Sequence, residues 1–218
     1  MTDEQLLPPT KSAPADTAGA SVDVRRAVRS PKAILGFFIV VVSMLFADLY
    51  LKTWAFEHVA GTPVELSRDA MLEDPHGFWR AYPHEPTVVI HYVLNLQLTT
   101  NTGAVFGMGK GGIPVFVGVT VLAVVVIFVV LFRSPANAWP LHLSLALILA
   151  GALGNLYDRV KYAAVRDMLH MLPETRLWPW IFNFADAILM IGVGVIFVYT
   201  YLMDRDAKNA PSEEPTNA

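Results

Sequence analysis

Four long apolar segments constrain this chain more than any other feature of its sequence. They lie near residues 33–54, 113–132, 139–156 and 181–202, and each approaches the roughly 20 helical residues that cross a hydrocarbon core of about 30 Å. Of all residues 54% are hydrophobic and only 16% are charged. A water-soluble domain needs more polar residues than this to cover its surface. We therefore expect an all-α membrane protein with four transmembrane helices.

The composition also excludes several kinds of function. The chain has no cysteine, which removes disulfides, thiolate nucleophiles, cysteine-bound zinc and iron–sulfur clusters. A formal net charge of −3, without a basic tract interleaved with aromatics, argues against a nucleic-acid partner. The candidate metal ligands are Asp158, Asp167, His170 and Glu174, and their spacing matches no metal-binding signature such as HEXXH. We expect no metal and no cofactor.

The remaining segments suggest one membrane domain at 33–203 between two tails. Residues 1–32 and 204–218 are rich in Pro, Thr, Ser and acidic residues, which predicts disordered tails. The first apolar segment is too long for a cleavable signal peptide and should stay as an anchor. Several prolines and a glycine in 57–86 predict an irregular extramembrane insertion.

A short stretch after this insertion has the pattern of a strand. Within 87–107, apolar and polar residues alternate over 88–98, and NTGAVFG follows at 101–107. A period of two predicts a strand with one apolar face. We expect a small extracytoplasmic β-sheet between the first and second helices, lying on the membrane surface.

Basic residues predict the orientation of the helices, although they do not all agree. A cluster precedes the first segment: Arg25, Arg26, Arg29 and Lys32. The positive-inside rule then places both termini in the cytoplasm. The connection after the third segment is also basic, with Arg159, Lys161, Arg166 and Arg176, yet this orientation puts it outside. We keep the orientation because two of these arginines adjoin aspartates, and it gathers nearly all intramembrane polar groups near the outer leaflet.

Asp167 and Asp186 are the strongest candidates for chemistry. A carboxylate at membrane depth is costly and marks a functional site by default. If the two met, repulsion and desolvation would raise one pKa, so that the pair shared one proton at neutral pH. One could then act on water as a base and the other on a carbonyl as an acid. The alternative is that each aspartate forms an ion pair with Arg159, Arg166 or Lys52.

Other polar and small residues fit supporting roles. Asp158, beside Arg159, suits an ion pair better than the two candidates do. Asp48 and Lys52 have the i,i+4 spacing of a structural pair on one helix face. Three amides can hydrogen-bond carboxylates or a substrate backbone: Asn101, Asn155 and Asn183. Four glycines allow close approach: Gly103, Gly107, Gly151 and Gly154. A lone His142 is interpreted as structural.

Taken in order, these motifs resemble those of bacterial lipoprotein signal peptidases (signal peptidase II), which are four-helix membrane aspartyl proteases. The matching elements are Asp48 with Lys52, NTGAVFG at 101–107, GALGNLYDRV at 151–160, VRD at 165–167 and FNFAD at 182–186. Each motif alone is weak, but their fixed order over about 33–202 is specific. The resemblance also matches the strand to the sheet that cradles substrate in this family.

The resemblance implies a bacterial inner-membrane enzyme that removes signal peptides from prolipoproteins. Cleavage falls before a diacylglyceryl-modified cysteine, so the expected partners are that prolipoprotein and membrane lipids, and we expect a monomer. By motif position the catalytic residues are Asp167 and Asp186. The supporting or substrate-binding residues are Asp48, Lys52, Asn101, Gly103, Asn155, Asp158, Arg159, Asn183 and Ala185.

Three features depart from the family pattern. Arg166 stands where an apolar residue is usual, Ala150 stands where a glycine is common, and the 57–86 insertion is long. An inward-pointing Arg166 would lower the pKa of the neighbouring Asp167. The insertion would affect substrate access rather than the core reaction.

Two other functions are compatible with intramembrane acids. A small proton-coupled carrier would use them as a relay, but a relay needs acids at several depths, whereas these gather at one end. A non-catalytic scaffold would tolerate asparagine at both Asp167 and Asp186 with no effect beyond stability.

Overall fold

The computed structural model describes residues 26–103, 112–175 and 177–209. Its four long helices are Pro31–His58 (α1), Gly112–Arg133 (α4), Trp139–Tyr162 (α5) and Phe184–Asn209 (α6). All four are long and apolar enough to cross a membrane, which confirms the predicted class. Gly107 with most of its motif, Arg25, Arg176 and the greater part of both predicted tails lie outside the described residues.

The spanning helices are longer than the apolar segments that predicted them. Pro31 occupies the first turn of α1, where a proline needs no hydrogen-bond partner, and Ser30 accepts a bond from the Ala33 amide at 3.4 Å. The third helix continues past 156 to Tyr162, and in these last turns Asp158 is fully buried in the bundle whereas Tyr157, Val160 and Lys161 are exposed. The fourth helix reaches Asn209, so 204–209 are helical rather than part of a disordered tail.

Helix α5 lies at the centre of the bundle and packs against α1, α4 and α6. Its contact with α6 is close because two glycines leave no room for a side chain. A Cβ at Gly151 would collide with the Ala185 carbonyl oxygen, and one at Gly192 would collide with the Ser144 carbonyl oxygen. Small residues allow this approach in membrane bundles, where helix association depends on packing.

A four-stranded antiparallel sheet, in the order β1-β2-β3-β4, sits at one end of the bundle. The strands are Thr87–Ile90 (β1), Leu94–Asn101 (β2), Val165–Met171 (β3) and Ile181–Phe182 (β4). The predicted sheet exists, but its location was only half right. Two of its strands come from the connection between the third and fourth spanning helices, where no alternation of apolar residues signalled them.

The predicted strand at 88–98 is a hairpin rather than one strand. A turn at 91–93 separates β1 from β2, with Tyr92 in the left-handed region at φ 62° and the Val93 amide bonded to the Ile90 carbonyl at 3.0 Å. The apolar alternation runs through the turn without a glycine or proline to mark it. Strand β2 pairs next with β3, which places Thr99 opposite Asp167 and Asn101 opposite Val165.

The insertion at 57–86 contains local helical structure that the prediction of an irregular segment did not include. It forms two short helices, Arg68–Glu73 (α2) and Pro75–Ala81 (α3). Trp79 packs in a core cluster with the sheet and donates a hydrogen bond from Nε1 to Thr100 Oγ1 at 2.7 Å. Such short helices depend on tertiary packing for their stability, so the local sequence alone did not reveal them.

Candidate active site

A network of buried charges joins α1 to α5 at the sheet end of the bundle. Lys52 is fully buried, and its ammonium lies 2.8 Å from Asp48 Oδ2, 3.3 Å from Asp158 Oδ2 and 3.0 Å from Asn155 Oδ1. Asn155 Oδ1 accepts a hydrogen bond from the ammonium, and the two carboxylates form ion pairs with it. The i,i+4 pair therefore forms as the spacing predicted, and Lys52 also holds α5 in place.

Arg166 completes this network from the strand β3. Its Nε and Nη2 donate to Asp158 Oδ1 at 3.1 and 2.9 Å, and its Nη1 donates to Thr53 Oγ1 at 3.2 Å. The partners of Asp158 are thus Arg166 and Lys52, not the adjacent Arg159. Two carboxylates and two cations balance, as buried charges require. Nothing in the sequence around Thr53 marked it as a partner of Arg166.

The direction of the Arg166 side chain settles whether it acts on Asp167, which the sequence left open. Successive side chains of a strand point to opposite faces, so Arg166 faces Asp158 while Asp167 faces the other way. Arg166 does not contribute to the pKa of Asp167, whose charged neighbours are Asp186, Lys52 and Arg159. Arg166 does point into the protein, but it pairs with Asp158 and not with Asp167, so the lowered pKa considered for Asp167 does not arise.

Asp186 is part of the cap that starts α6. The predicted helix began at 181, but Ile181 belongs to β4 and the helix begins at Phe184, which puts Asp186 in its first turn. Asn183 Oδ1 accepts from the Asp186 amide at 3.0 Å, and Asp186 Oδ2 accepts from the Asn183 amide at 3.2 Å. This reciprocal arrangement is a capping box. The carboxylate is therefore fixed at the positive end of a helix dipole.

Asp48 and Gly154 support this helix start from the neighbouring helices. Asp48 Oδ1 accepts a hydrogen bond from the amide of the fully buried Ala185 at 2.8 Å. A Cβ at Gly154 would collide with Asp48 Oδ2, so this position requires glycine if Asp48 is to reach α6. The small residues in GALGN and FNFAD thereby bring α1, α5 and α6 together around one carboxylate.

Asp167 lies in β3, five residues after the end of α5. Its Oδ1 accepts from Asn183 Nδ2 at 2.6 Å, and the same amide also donates to Asn155 Oδ1 at 3.1 Å. Asn155 Nδ2 in turn donates to Asp186 Oδ1 at 2.7 Å. Two amides therefore link the carboxylates of Asp167 and Asp186 into one cluster.

The surroundings of Asp167 favour its protonated form. Burial, followed by repulsion from Asp186, raises its pKa from 3.8 to about 7, against the opposing effects of Asn183, Lys52 and Arg159. Asp167 is almost completely buried, whereas Asp186 is half-buried. Within the described ranges, no lysine, arginine or histidine nitrogen lies at ion-pair distance from either carboxylate.

Two of the predicted supporting residues lie at the edge of the cluster. The Arg159 guanidinium stacks over the Phe116 ring at 4.3 Å, and its electric field reaches Asp167. Its buried Nε has no hydrogen-bond partner among the residues described. Asn101 does not join the carboxylates: its Oδ1 accepts from the Gly103 amide at 2.9 Å and shapes the turn after β2. Gly103 has φ 80° there, which favours glycine.

The two histidines considered from the sequence have ordinary hydrogen bonds. His142 lies 2.8 Å from Ser134 Oγ, and His170 lies 3.1 Å from Gln97 Oε1. Over residues 26–103, 112–175 and 177–209, no group of three or more acidic or histidine side chains is arranged to hold a metal ion.

Comparisons with known proteins relate the whole bundle to one family. A family model described as signal peptidase (SPase) II matches residues 40–202. The lipoprotein signal peptidase of Desulfitobacterium hafniense (strain DSM 10664 / DCB-2) is 36% identical over 121 residues, which is 56% of this chain and 78% of that protein. That of Moorella thermoacetica is 41% identical over 114 residues, 52% of this chain and 73% of that protein.

A solved structure supports the fold independently. A bacterial membrane enzyme determined by the in meso method at 2.3 Å resolution superposes with a TM-score of 0.60. The match covers 83% of this chain and 94% of that one, at 24% sequence identity. At this identity the likeness establishes the architecture of the bundle and not its chemistry.

Proposed function

Because this chain belongs to the signal peptidase II family, we propose that it removes signal peptides from prolipoproteins in a bacterial inner membrane. The reaction is hydrolysis of the peptide bond before a diacylglyceryl-modified cysteine. Asp167 and Asp186 are the catalytic pair, and a water molecule is the nucleophile. The protein acts as a monomer on a substrate held in the same bilayer.

The observation that carries this proposal is the unequal distribution of cations among four carboxylates. Asp48 and Asp158 are neutralised by Lys52 and Arg166. Asp167 and Asp186 receive hydrogen bonds from amides instead, with no cation at ion-pair distance in the described part of the chain. Structural ion pairs explain Asp48 and Asp158. Asp167 and Asp186 have no such pairing, so this pair keeps one proton and one negative charge for chemistry.

The two aspartates differ in a way that assigns their roles. Asp167 holds the proton near neutral pH because burial and Asp186 raise its pKa to about 7. Asp186 accepts two hydrogen bonds at the start of α6, an arrangement that stabilises a negative charge. Asp186 is therefore the general base, and Asp167 is the acid that polarises the scissile carbonyl.

The reaction proceeds in two steps. In the first step the water oxygen bonds to the carbonyl carbon while Asp186 takes a proton from that water. Asp167 gives its own proton to the carbonyl oxygen. The resulting tetrahedral diol then breaks its C–N bond. Asp186 returns its proton to the departing amine nitrogen, and one diol hydroxyl reprotonates Asp167. Asn155 and Asn183 keep both carboxyl groups in place through each transfer.

The location of the pair is consistent with a membrane-held substrate. Asp186 lies in the first turn of α6, and the structural acids lie in the last turns of α1 and α5, so these groups share one end of the bundle with the sheet. We place this end at the outer leaflet and both termini in the cytoplasm. Water reaches the half-buried Asp186 there, while the sheet extends over the membrane surface.

Replacing each catalytic aspartate by asparagine tests the proposal. Asp167→Asn preserves the local structure better, because the new amide oxygen can still accept the hydrogen bond from Asn183. The new side chain cannot supply a proton to the substrate. Asp186→Asn also places an NH₂ group near the Asn183 amide, so its folding must be verified by thermal unfolding. We expect cleavage of a diacylglyceryl-modified prolipoprotein to fall by at least about 10² in both variants.

Asp204→Asn is the matched control, since Asp204 is an exposed acid at the far end of α6. Near-normal cleavage by folded Asp167→Asn protein would refute the assignment. Proteoliposomes prepared for the assay also address the carrier alternative. Solute uptake driven by a pH gradient, without peptide cleavage, would favour a proton relay over a peptidase.

A further inference from the structure

A cavity of about 520 Å³ lies behind β3, on the face opposite to Asp167. Its walls come from the last turns of α1 and α5, from the insertion before α2, and from Arg166 of β3. The volume is within the range of small-molecule sites in proteins. The proposed peptidase reaction uses none of this space.

Four charged side chains line the cavity: Glu57, Glu65, Lys161 and Arg166. Although two are acids and two are bases, no two of these four described residues form a salt bridge with each other. Arg166 uses three of its five N–H donors for Asp158 and Thr53, which leaves two. Because these charges line one cavity without pairing with each other, they can bind a ligand that carries both signs.

Lys161 contributes a cation without an acidic partner in the described ranges. Its ammonium lies 3.1 Å from the Tyr157 hydroxyl and 4.9 Å from the centre of the Tyr162 ring. Aromatic rings and a hydroxyl orient this cation but do not neutralise it. Under the proposed orientation Lys161 lies on the outer side of the membrane, where the positive-inside rule disfavours a cation. A bound anion would neutralise its charge there.

The position of the cavity suggests where its ligand comes from. The walls formed by Thr53, Phe56 and Glu57 belong to the end of one spanning helix, and those formed by Lys161 and Tyr162 belong to the end of another. The ends of spanning helices lie at the depth of the lipid headgroups. A phospholipid reaches this depth without leaving the bilayer.

We propose that this cavity binds a zwitterionic headgroup that joins a phosphate to an ammonium, as in phosphatidylethanolamine. The phosphate is held by Lys161 and the free N–H groups of Arg166, whose planar fork suits phosphate oxygens. The ammonium is held by Glu57 and Glu65. Buried and partly buried apolar side chains of the same wall, such as Phe56, receive the glycerol end of the lipid.

Native mass spectrometry of the purified full chain tests this site. Phosphatidylethanolamine and phosphatidylglycerol with identical acyl chains are added together in equal amounts, and the bound ratio is measured. We expect about a tenfold preference for phosphatidylethanolamine, the effect of one charge-assisted hydrogen bond. Glu65→Gln should abolish that preference, and Lys161→Gln should weaken binding of both lipids. The matched controls are Glu85→Gln and Lys208→Gln, which replace exposed charges elsewhere.

The outcomes separate the sources of the ligand. Equal retention of the two lipids, or loss of preference in the control variants as well, would overturn the proposal. Displacement of the lipid by soluble phosphoethanolamine at equal concentration would show a site for a free phosphate ester instead. Because binding is measured directly, the Asp167→Asn protein should give the same ratios whether or not the proposed peptidase activity is correct.

Discussion

The raised pKa of Asp167 makes a prediction about stability that does not depend on the substrate. An acid whose pKa is higher in the folded protein binds its proton more tightly there than in the unfolded chain. Its contribution to stability is therefore fully present below pH 3.8 and is lost as pH rises towards about 7. The substitution Asp167→Asn replaces the acid by a neutral amide, which removes this pH-dependent loss while retaining the hydrogen bond from Asn183.

The size of the effect follows from the two pKa values. At about 1.4 kcal/mol for each pH unit, a change from 3.8 to about 7 corresponds to about 4 kcal/mol. This is an upper limit, because a chain unfolded in detergent is itself partly shielded from water. For a chain of this length the difference corresponds to a shift in Tm of roughly 10 °C.

Thermal unfolding in one detergent from pH 4.5 to 8.5 measures this difference. We expect the Tm of Asp167→Asn minus that of the unmodified protein to grow as pH rises and to level off above about pH 8. Glu85→Gln, which replaces an exposed acid, should show a small difference that does not change with pH. Removing the repulsion with Asp186→Asn should reduce the pH dependence that Asp167 causes. A flat Tm difference for Asp167→Asn over the whole range would refute the reasoning.

Two further predictions concern catalysis and the buried charges. The cleavage rate, measured as kcat/KM, should fall as pH rises above about 7, because Asp167 loses the proton it must donate; a rate that stays constant to pH 9 would contradict its role as the acid. Lys52→Met should destabilise the protein by about 3–5 kcal/mol in thermal or denaturant unfolding, because it leaves Asp48 and Asp158 buried without their shared cation. Adding Asp48→Asn to that variant should restore part of the loss, whereas Lys208→Met at an exposed pair should have little effect.

The membrane helices could be predicted from the sequence because each one must meet a length and hydrophobicity requirement by itself. A spanning helix needs an apolar stretch of sufficient length whatever its neighbours are, so the four segments were visible without knowledge of their packing. The motifs around Asp48, Asp158, Asp167 and Asp186 were visible for a related reason, since a charged residue in an apolar context is rare.

The sheet and the insertion were harder to predict because neither is a local property. Strand β3 pairs with β2, which lies far from it along the chain, and β3 carries no clean alternation of its own. The α2 and α3 helices depend on contacts with the sheet, such as the Trp79 to Thr100 hydrogen bond. Their prolines suggested a loop, but Pro75 instead starts a helix at a position where proline is favoured.

The amino-acid sequence was enough to predict four membrane-spanning helices and to single out a few acids as functional candidates, because burying a charge in lipid is costly wherever it occurs. Which of these acids are neutralised by cations became visible only in the folded protein. Arg166 is adjacent to Asp167 in the chain, yet the alternation of a strand turns it towards Asp158, while Asn183 reaches Asp167 from the start of another helix. The charge state of a buried group depends on neighbours in space, and those are set by the packing of distant segments.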